Sequence, residues 1–145
     1  EDVLVEHIGV SNFEPEQLET ARSVLEEPIV ANQVEMHPLL PQRDLREYLA
    51  DTDIELVAYS PLARGEVLDI PELSSIAEKH GASEAQVSLA WVREQGATAI
   101  PKATSEAHIR DNWESLQLEL DEDDLATIDG ITRTDRRVDP SFAPW

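Results

Sequence analysis

The chain has 145 residues, with 31 acidic against 11 basic side chains, a formal net charge of −20 and no cysteine. That length suffices for one ordinary domain, and the missing thiols exclude disulfides, thiol nucleophiles and thiolate metal sites. A surface this acidic repels nucleic acid and anionic membranes, and with nine arginines but only Lys79 and Lys102 it reads as a protein of a high-salt cytoplasm.

Val5 to Val10 is a strand-like run that stops in Ser11-Asn12. No leader of charged then apolar residues precedes it, and no apolar stretch approaches the roughly 18 residues of a membrane span. The chain begins with Glu1 rather than Met, so a piece of a longer polypeptide is expected. From Glu14, with Pro15 suited to the first turn, Leu18, Ala21 and Leu25 share one helical face. A second strand is expected from Ile29 to Met36, with Asn32, Gln33, Glu35 and His37 at its end. A short helix follows from Gln42 to Ala50, with Leu45 and Leu49 one turn apart. The third strand, Ile54 to Tyr59, runs into Ser60. Pro71 opens a helix ending near Gly81 that turns Leu73, Ile76 and Ala77 inward. Ser83 with Gln86 makes a capping box for the next, striped by Val87, Ala90 and Trp91. A fourth strand, Ala97 to Ile100, leads through Lys102 and Thr104 into a helix near Ser105 whose Ile109, Trp113 and Leu116 share a face. Asp121 caps a last helix through Ile128, and an irregular tail runs from about residue 131 to Trp145.

Strands alternating with helices imply parallel pairing, so the fold class is α/β. Four βα units make either a small open sheet or half of an eight-unit barrel, and a whole barrel takes about 250 residues. The length favours half, with no linker or internal domain boundary.

In parallel α/β folds chemistry gathers at the carboxyl ends of the strands. Lys102 with Thr104 and Ser105 at a helix start describes a phosphate-binding corner, because free N–H groups and the helix dipole attract anions. The same spacing fits an ordinary N-cap beside a solvated lysine. Ser11 and Asn12 equally suit a cap for the helix from Glu14, His37 before Pro38 a hydrogen-bonded turn, and Tyr59 a core aromatic. Glu35 and His37 lack a plausibly spaced third ligand, so no metal site is expected.

Taken together and in order, "IGVSNF", "NQVEMHPLLPQ", "AYSPLARG", "PELSSIAEKHGASEAQVSLAWVREQG" and "IPKATSEAHIRDN" resemble the aldo-keto reductases over almost the whole chain, from that family's fifth strand to its end. The resemblance implies that residues 1–145 form the second half of a (β/α)₈ TIM barrel, which holds extended NADP or NAD across its strand ends. It assigns Ser11, Asn12 and Gln33 to the nicotinamide carboxamide and stacks Tyr59 on the nicotinamide ring. Ser60 and Leu62 would border the pyrophosphate, Lys102 and Thr104 would hold the adenosine-side phosphate, and Asp111 with Asn112 would meet the adenine. Two positions depart from the family pattern. Ala103 stands where Ser is common, and His108 stands where an Arg commonly stacks on adenine and pairs with the 2′-phosphate. Arg110, about 200° around the helix, does not replace it, so NADP preference is expected to weaken and NAD use to open.

The resemblance further implies a parent reaction in which NAD(P)H reduces an aldehyde or ketone to an alcohol. The family's acid is a Tyr assisted by Lys, with Asp and His nearby, all from earlier strands, so no catalytic residue is expected in this chain. The missing amino-terminal half would supply them and cover the sheet edges. The alternative is a non-catalytic half-barrel that binds nucleotide or assembles, closed by a second copy. The short tail to Trp145 suggests a small or loosely defined substrate pocket.

Overall fold

In the segment Glu55–Tyr59, Leu56 and Ala58 are buried, Glu55 is exposed and Val57 and Tyr59 are half-buried. This is the two-residue alternation of a strand packed on one face only. The computed structural model describes residues 5–140. In it β1 (Ile8–Ser11), β2 (Ile29–Glu35), β3 (Glu55–Tyr59) and β4 (Thr98–Ala99) lie side by side in chain order, all parallel. Because crossovers between parallel strands are right-handed and the order never reverses, the connecting helices fall on the same face. The helices are α1 (Pro15–Val24), α2 (Arg43–Leu49), α3 (Pro71–His80), α4 (Glu84–Glu94), α5 (Glu106–Glu114) and α6 (Glu122–Asp129). Between sheet and helices lies the core, in which Leu18, Leu45, Leu56, Leu73, Val87, Trp91 and Ile128 are buried. The Trp91 indole N–H donates to Asp129 at 3.1 Å, satisfying its polar edge.

The opposite face of the sheet carries a different row. Ser11, Gln33, Val57 and Thr98 are register partners across the four strands, with Glu35 and Tyr59 paired one step further toward the carboxyl ends. Parallel sheets are normally covered on both faces. Here the second face holds exposed Ser11 and Gln33, the arrangement of a partial (β/α) barrel seen from inside.

Several boundaries differ from those expected. The first strand starts at Ile8 rather than Val5, with a register shift between Ile8 and Gly9. The fourth shrinks to Thr98–Ala99, although the Ile100 amide still donates to Ala58 at 3.0 Å. Gln42 lies before α2 in the left-handed region, φ 51°. Leu25 caps α1 in extended conformation and is 37 % exposed instead of inward. An unexpected 3₁₀ segment covers Ala63–Asp69, broken at Arg64 and Gly65. The largest correction concerns α5, whose apolar stripe Ile109, Trp113 and Leu116 is 57, 69 and 51 % exposed. Its spacing is helical as expected, but no described element packs on its outer side. The capping boxes at Ser83 and Asp121 form as expected.

α3 and α6 are joined by a charged cluster. Lys79 Nζ reaches Asp121 at 2.6 Å and Asp124 at 2.7 Å, and His80 Nε2 lies 2.6 Å from Asp124. Chiefly the Lys79 hydrogen bond holds the Asp121 carboxyl down from 3.8 to about 2. A carboxyl lowered by folding stabilises the fold above its unfolded value and ceases to do so as pH falls through its folded value. The stability difference between wild type and Lys79→Met should therefore hold steady above about pH 4 and shrink toward about pH 2. Urea unfolding of both proteins across that range measures it. A difference unchanged down to pH 2 would remove the ion pair from the account.

Candidate functional site

The carboxyl ends of the strands are where the backbone is most constrained. Asn12, Ser60, Ala63 and Arg64 all adopt positive φ, between 46° and 57°, and the fifth such non-glycine, Gln42, donates its side-chain amide to the Glu35 carbonyl at 2.7 Å. For residues with a Cβ this costs energy that only surrounding contacts hold in place. At the end of β1 the Ser11 hydroxyl and the Asn12 amide both donate to the Gln33 carbonyl at 2.9 Å. Asn32, wholly buried, locks the same turn by accepting from the Phe13 N–H at 3.3 Å and donating to the Phe13 carbonyl at 2.8 Å.

Of the residues expected at the site, Ser11, Asn12, Gln33 and Tyr59 are gathered along the ends of β1, β2 and β3. Two polar atoms in this group are buried without a hydrogen-bond partner, Asn12 Oδ1 and the Tyr59 hydroxyl. Burial pushes the Tyr59 hydroxyl above its ordinary value and the Glu35 carboxylate adds to the rise, while Asn12 and Arg136 oppose it. Among the described residues these two atoms lack a geometrically good partner, and unpaired buried polar atoms are uncommon in folded proteins.

The second group lies in two adjoining grooves. One, about 440 Å³, is lined by Ser60, Pro61, Leu62, Arg64, Gly65 and Lys102. The other, about 230 Å³, shares Leu62, Gly65 and Lys102 and adds His108, Asp111 and Asn112 among its walls. Thr104 is exposed and lines neither groove. The Asp111 carboxylate also braces α5 against α4, accepting from Ser83 at 2.8 Å and Gln86 at 2.9 Å. Ser105 caps α5, accepting from the His108 amide at 3.2 Å.

Charge distinguishes this groove from the rest of the surface. Nine of the chain's 11 Lys and Arg side chains are engaged, for example Arg43 with the Asp129 carbonyl, Arg93 with the Ser115 and Leu118 carbonyls, Arg133 with Glu72 and Arg137 with Glu66. Among the described residues the two cations without a partner are Arg64 and Lys102, and both line the same groove. In a chain of net charge −20, two unpaired cations lining one groove make a local anion-attracting spot. Nothing in the sequence alone singles out Arg64. Its signal was faint: one cation within "PLARG", next to a glycine that permits the kink.

A roomier groove, about 740 Å³, sits at the amino ends of the strands between Arg43, Arg46, Gln95 and Asp129. Its arginines are already bonded, Arg43 to the Asp129 carbonyl and Arg46 to Gln95 and the Pro41 carbonyl. His37 is structural: it is buried, with Nε2 2.9 Å from Glu35. Burial pushes its imidazole down against the opposing pull of Glu35. Among the described residues no three His, Asp or Glu side chains converge as a metal site would need, and no helix is long and apolar enough to cross a membrane.

Residues 4–133 match the profile of the Aldo/keto reductase family. The chain is 41 % identical over 140 residues to the glyoxal reductase of Bacillus subtilis, covering 97 % of this chain and 50 % of that protein. It superposes on the aldose reductase of Giardia lamblia with a TM-score of 0.88 at 30 % identity, covering 96 % of this chain and 49 % of the other. An aldo-keto reductase of the silkworm Bombyx mori in complex with NADPH superposes with a TM-score of 0.82 at 31 % identity, covering 91 % and 44 %. The chain spans about half the length of the curated relatives it matches.

Proposed function

The chain belongs to the aldo/keto reductase family, and from that premise we propose that it is the dinucleotide-holding, carboxyl-terminal half of an NAD(P)H-dependent reductase of aldehydes or ketones. The observation that carries this reading is that Arg64 and Lys102, the two cations without a partner among the described residues, line one groove beside the unpaired polar atoms of Asn12 and Tyr59. One end of the site asks for hydrogen-bonding groups and the other for anions, as a nicotinamide dinucleotide offers. On this reading Ser11, Asn12 and Gln33 hold the carboxamide and Tyr59 stacks against the ring. Ser60, Leu62 and Arg64 border the pyrophosphate, while Lys102, Thr104, His108, Asp111 and Asn112 hold the adenosine end. When bound, the dinucleotide supplies the hydride. The chain's part is to bind it, orient it and keep a phenol rather than a phenolate at Tyr59, since that hydroxyl is shifted upward.

His108 in place of a permanently charged arginine favours tolerance of NADH alongside NADPH. Arg64 and Lys102 retain attraction for the phosphates that both cofactors share. The proton that a reduced carbonyl needs would come from residues of the other half. The exposed stripe of α5 and the unpaired edge of β4 lie where that half would pack. A second copy is the less favoured cover, because each copy would bring a further −20 of charge. Such acidity fits a protein working in a cytoplasm of high salt, which screens the repulsion.

Titration calorimetry of the chain in concentrated KCl with NADPH and NADH, together with a turnover assay on a simple aldehyde, tests the reading. Expected are weak binding of both nucleotides and no measurable carbonyl reduction. Turnover by this chain alone would overturn the assignment of the acid to the other half, and absence of any nucleotide binding would overturn the site.

A further inference from the structure

One buried charge has no place in the reading above. Glu35, at the end of β2, is wholly buried, and its carboxylate accepts from the Arg137 N–H at 2.7 Å and the Val138 N–H at 2.8 Å, with His37 Nε2 at 2.9 Å. A carboxylate is withdrawn from water at high cost unless donors surround it. Here two of those donors come from the main chain about a hundred residues away. The same segment is tied at two further points. The Asp135 N–H donates to the Leu39 carbonyl at 2.9 Å, and the Arg137 guanidinium pairs with Glu66 at 2.8 Å and Asp135 at 2.6 Å. Glu35 belongs to β2, and Glu66 to the 3₁₀ segment after β3, so Arg137 alone ties the end of β2 to the chain that leaves β3 through Tyr59, the register partner of Glu35. Residues 135–138 therefore form a strap rather than a loose end, although they have no regular secondary structure.

We propose that Glu35 is a positioning residue whose carboxylate fastens residues 135–138 across the ends of β2 and β3, so that the strap holds the wall beside Tyr59 against which the nicotinamide half of a dinucleotide seats. The proposal rests on the nucleotide reading for its consequence and on the hydrogen bonds alone for the strap. Glu35→Gln keeps the size of the side chain but turns an amide NH₂ toward a donor it formerly satisfied. Val138→Pro removes one of the two main-chain donors and leaves the carboxylate and the core untouched.

Amide hydrogen exchange of the whole chain reads the strap. In Glu35→Gln, exchange at Arg137 and Val138 should quicken at least about tenfold, while amides around Leu56 and Trp91 stay unchanged. Binding reads the consequence. A strap closed about a fifth of the time raises the apparent Kd about fivefold. NADH should show that loss in both variants, and ADP, which lacks the nicotinamide half, should bind as in wild type. Equal losses for NADH and ADP would mean general damage and overturn the positioning role, as would exchange that stays unchanged at Arg137 in both variants and at Val138 in Glu35→Gln. If wild type binds neither nucleotide while Glu35→Gln still frees the strap, the nucleotide reading and its positioning consequence fall and the strap alone stands.

Discussion

In Lys102→Met the affinity of the chain for NADPH falls by about tenfold to a hundredfold, the range expected when hydrogen bonds between a charged group and a phosphate are lost. Arg64→Met should cost a similar factor. The argument is one of scarcity: the other nine Lys and Arg side chains are already engaged, so among the described residues no neighbouring Lys or Arg is free to take over the anion. Nicotinamide mononucleotide lacks the adenosine-side phosphates and should bind the Lys102 variant as it binds wild type. Added salt should weaken NADPH binding less in the variants than in wild type, because fewer exposed charges remain to be screened. If Lys102→Met and Arg64→Met both leave NADPH affinity within twofold of wild type, the groove is not where the phosphates lie.

Trp91→Ala should remove roughly 3 to 5 kcal/mol of folding stability, enough to unfold a domain whose total is about 5 to 15 kcal/mol. Trp91 is 1 % exposed at the centre of α4, and its loss opens a cavity between sheet and helices while leaving Asp129 without its indole donor. Trp113 offers the matched control within the same chain. It is 69 % exposed on α5, so Trp113→Ala should change stability by no more than about 0.5 kcal/mol. Guanidinium unfolding of the two variants measures both. Comparable losses would mean that the α5 stripe is covered in solution.

The contrast between these tryptophans marks what the sequence could and could not say. Helical spacing placed both on apolar stripes, and the stripes formed. Periodicity reports that a face is apolar, whereas burial depends on another element arriving to cover it, and α5 has no such neighbour among the described residues. The strand ends were legible for a related reason: Ser11, Gln33 and Tyr59 interrupt β-branched runs, and register then gathers them. Arg64 was not legible, because its meaning lies in the pairing of every other cation, a property of the whole surface. In the sequence Glu35 reads as one polar residue of a strand end and as half of a metal pair that lacks a third ligand. Its partners are main-chain N–H groups of residues 137 and 138, which leave no trace in side-chain identity. The short tail, from which a small or loosely defined substrate pocket is expected, ends in residues 141–145, which lie outside the described residues.

The link from Glu35 to Arg137 and Val138 also sets an order of events during synthesis. The strand ends and helices can organise from contacts made early, as domains do while the chain is still being translated. The carboxylate of Glu35, by contrast, waits through about a hundred further residues before its two main-chain donors leave the ribosome. Until then only the His37 ring, two residues along, stands by the carboxylate, and the arrival of residue 138 completes the mouth.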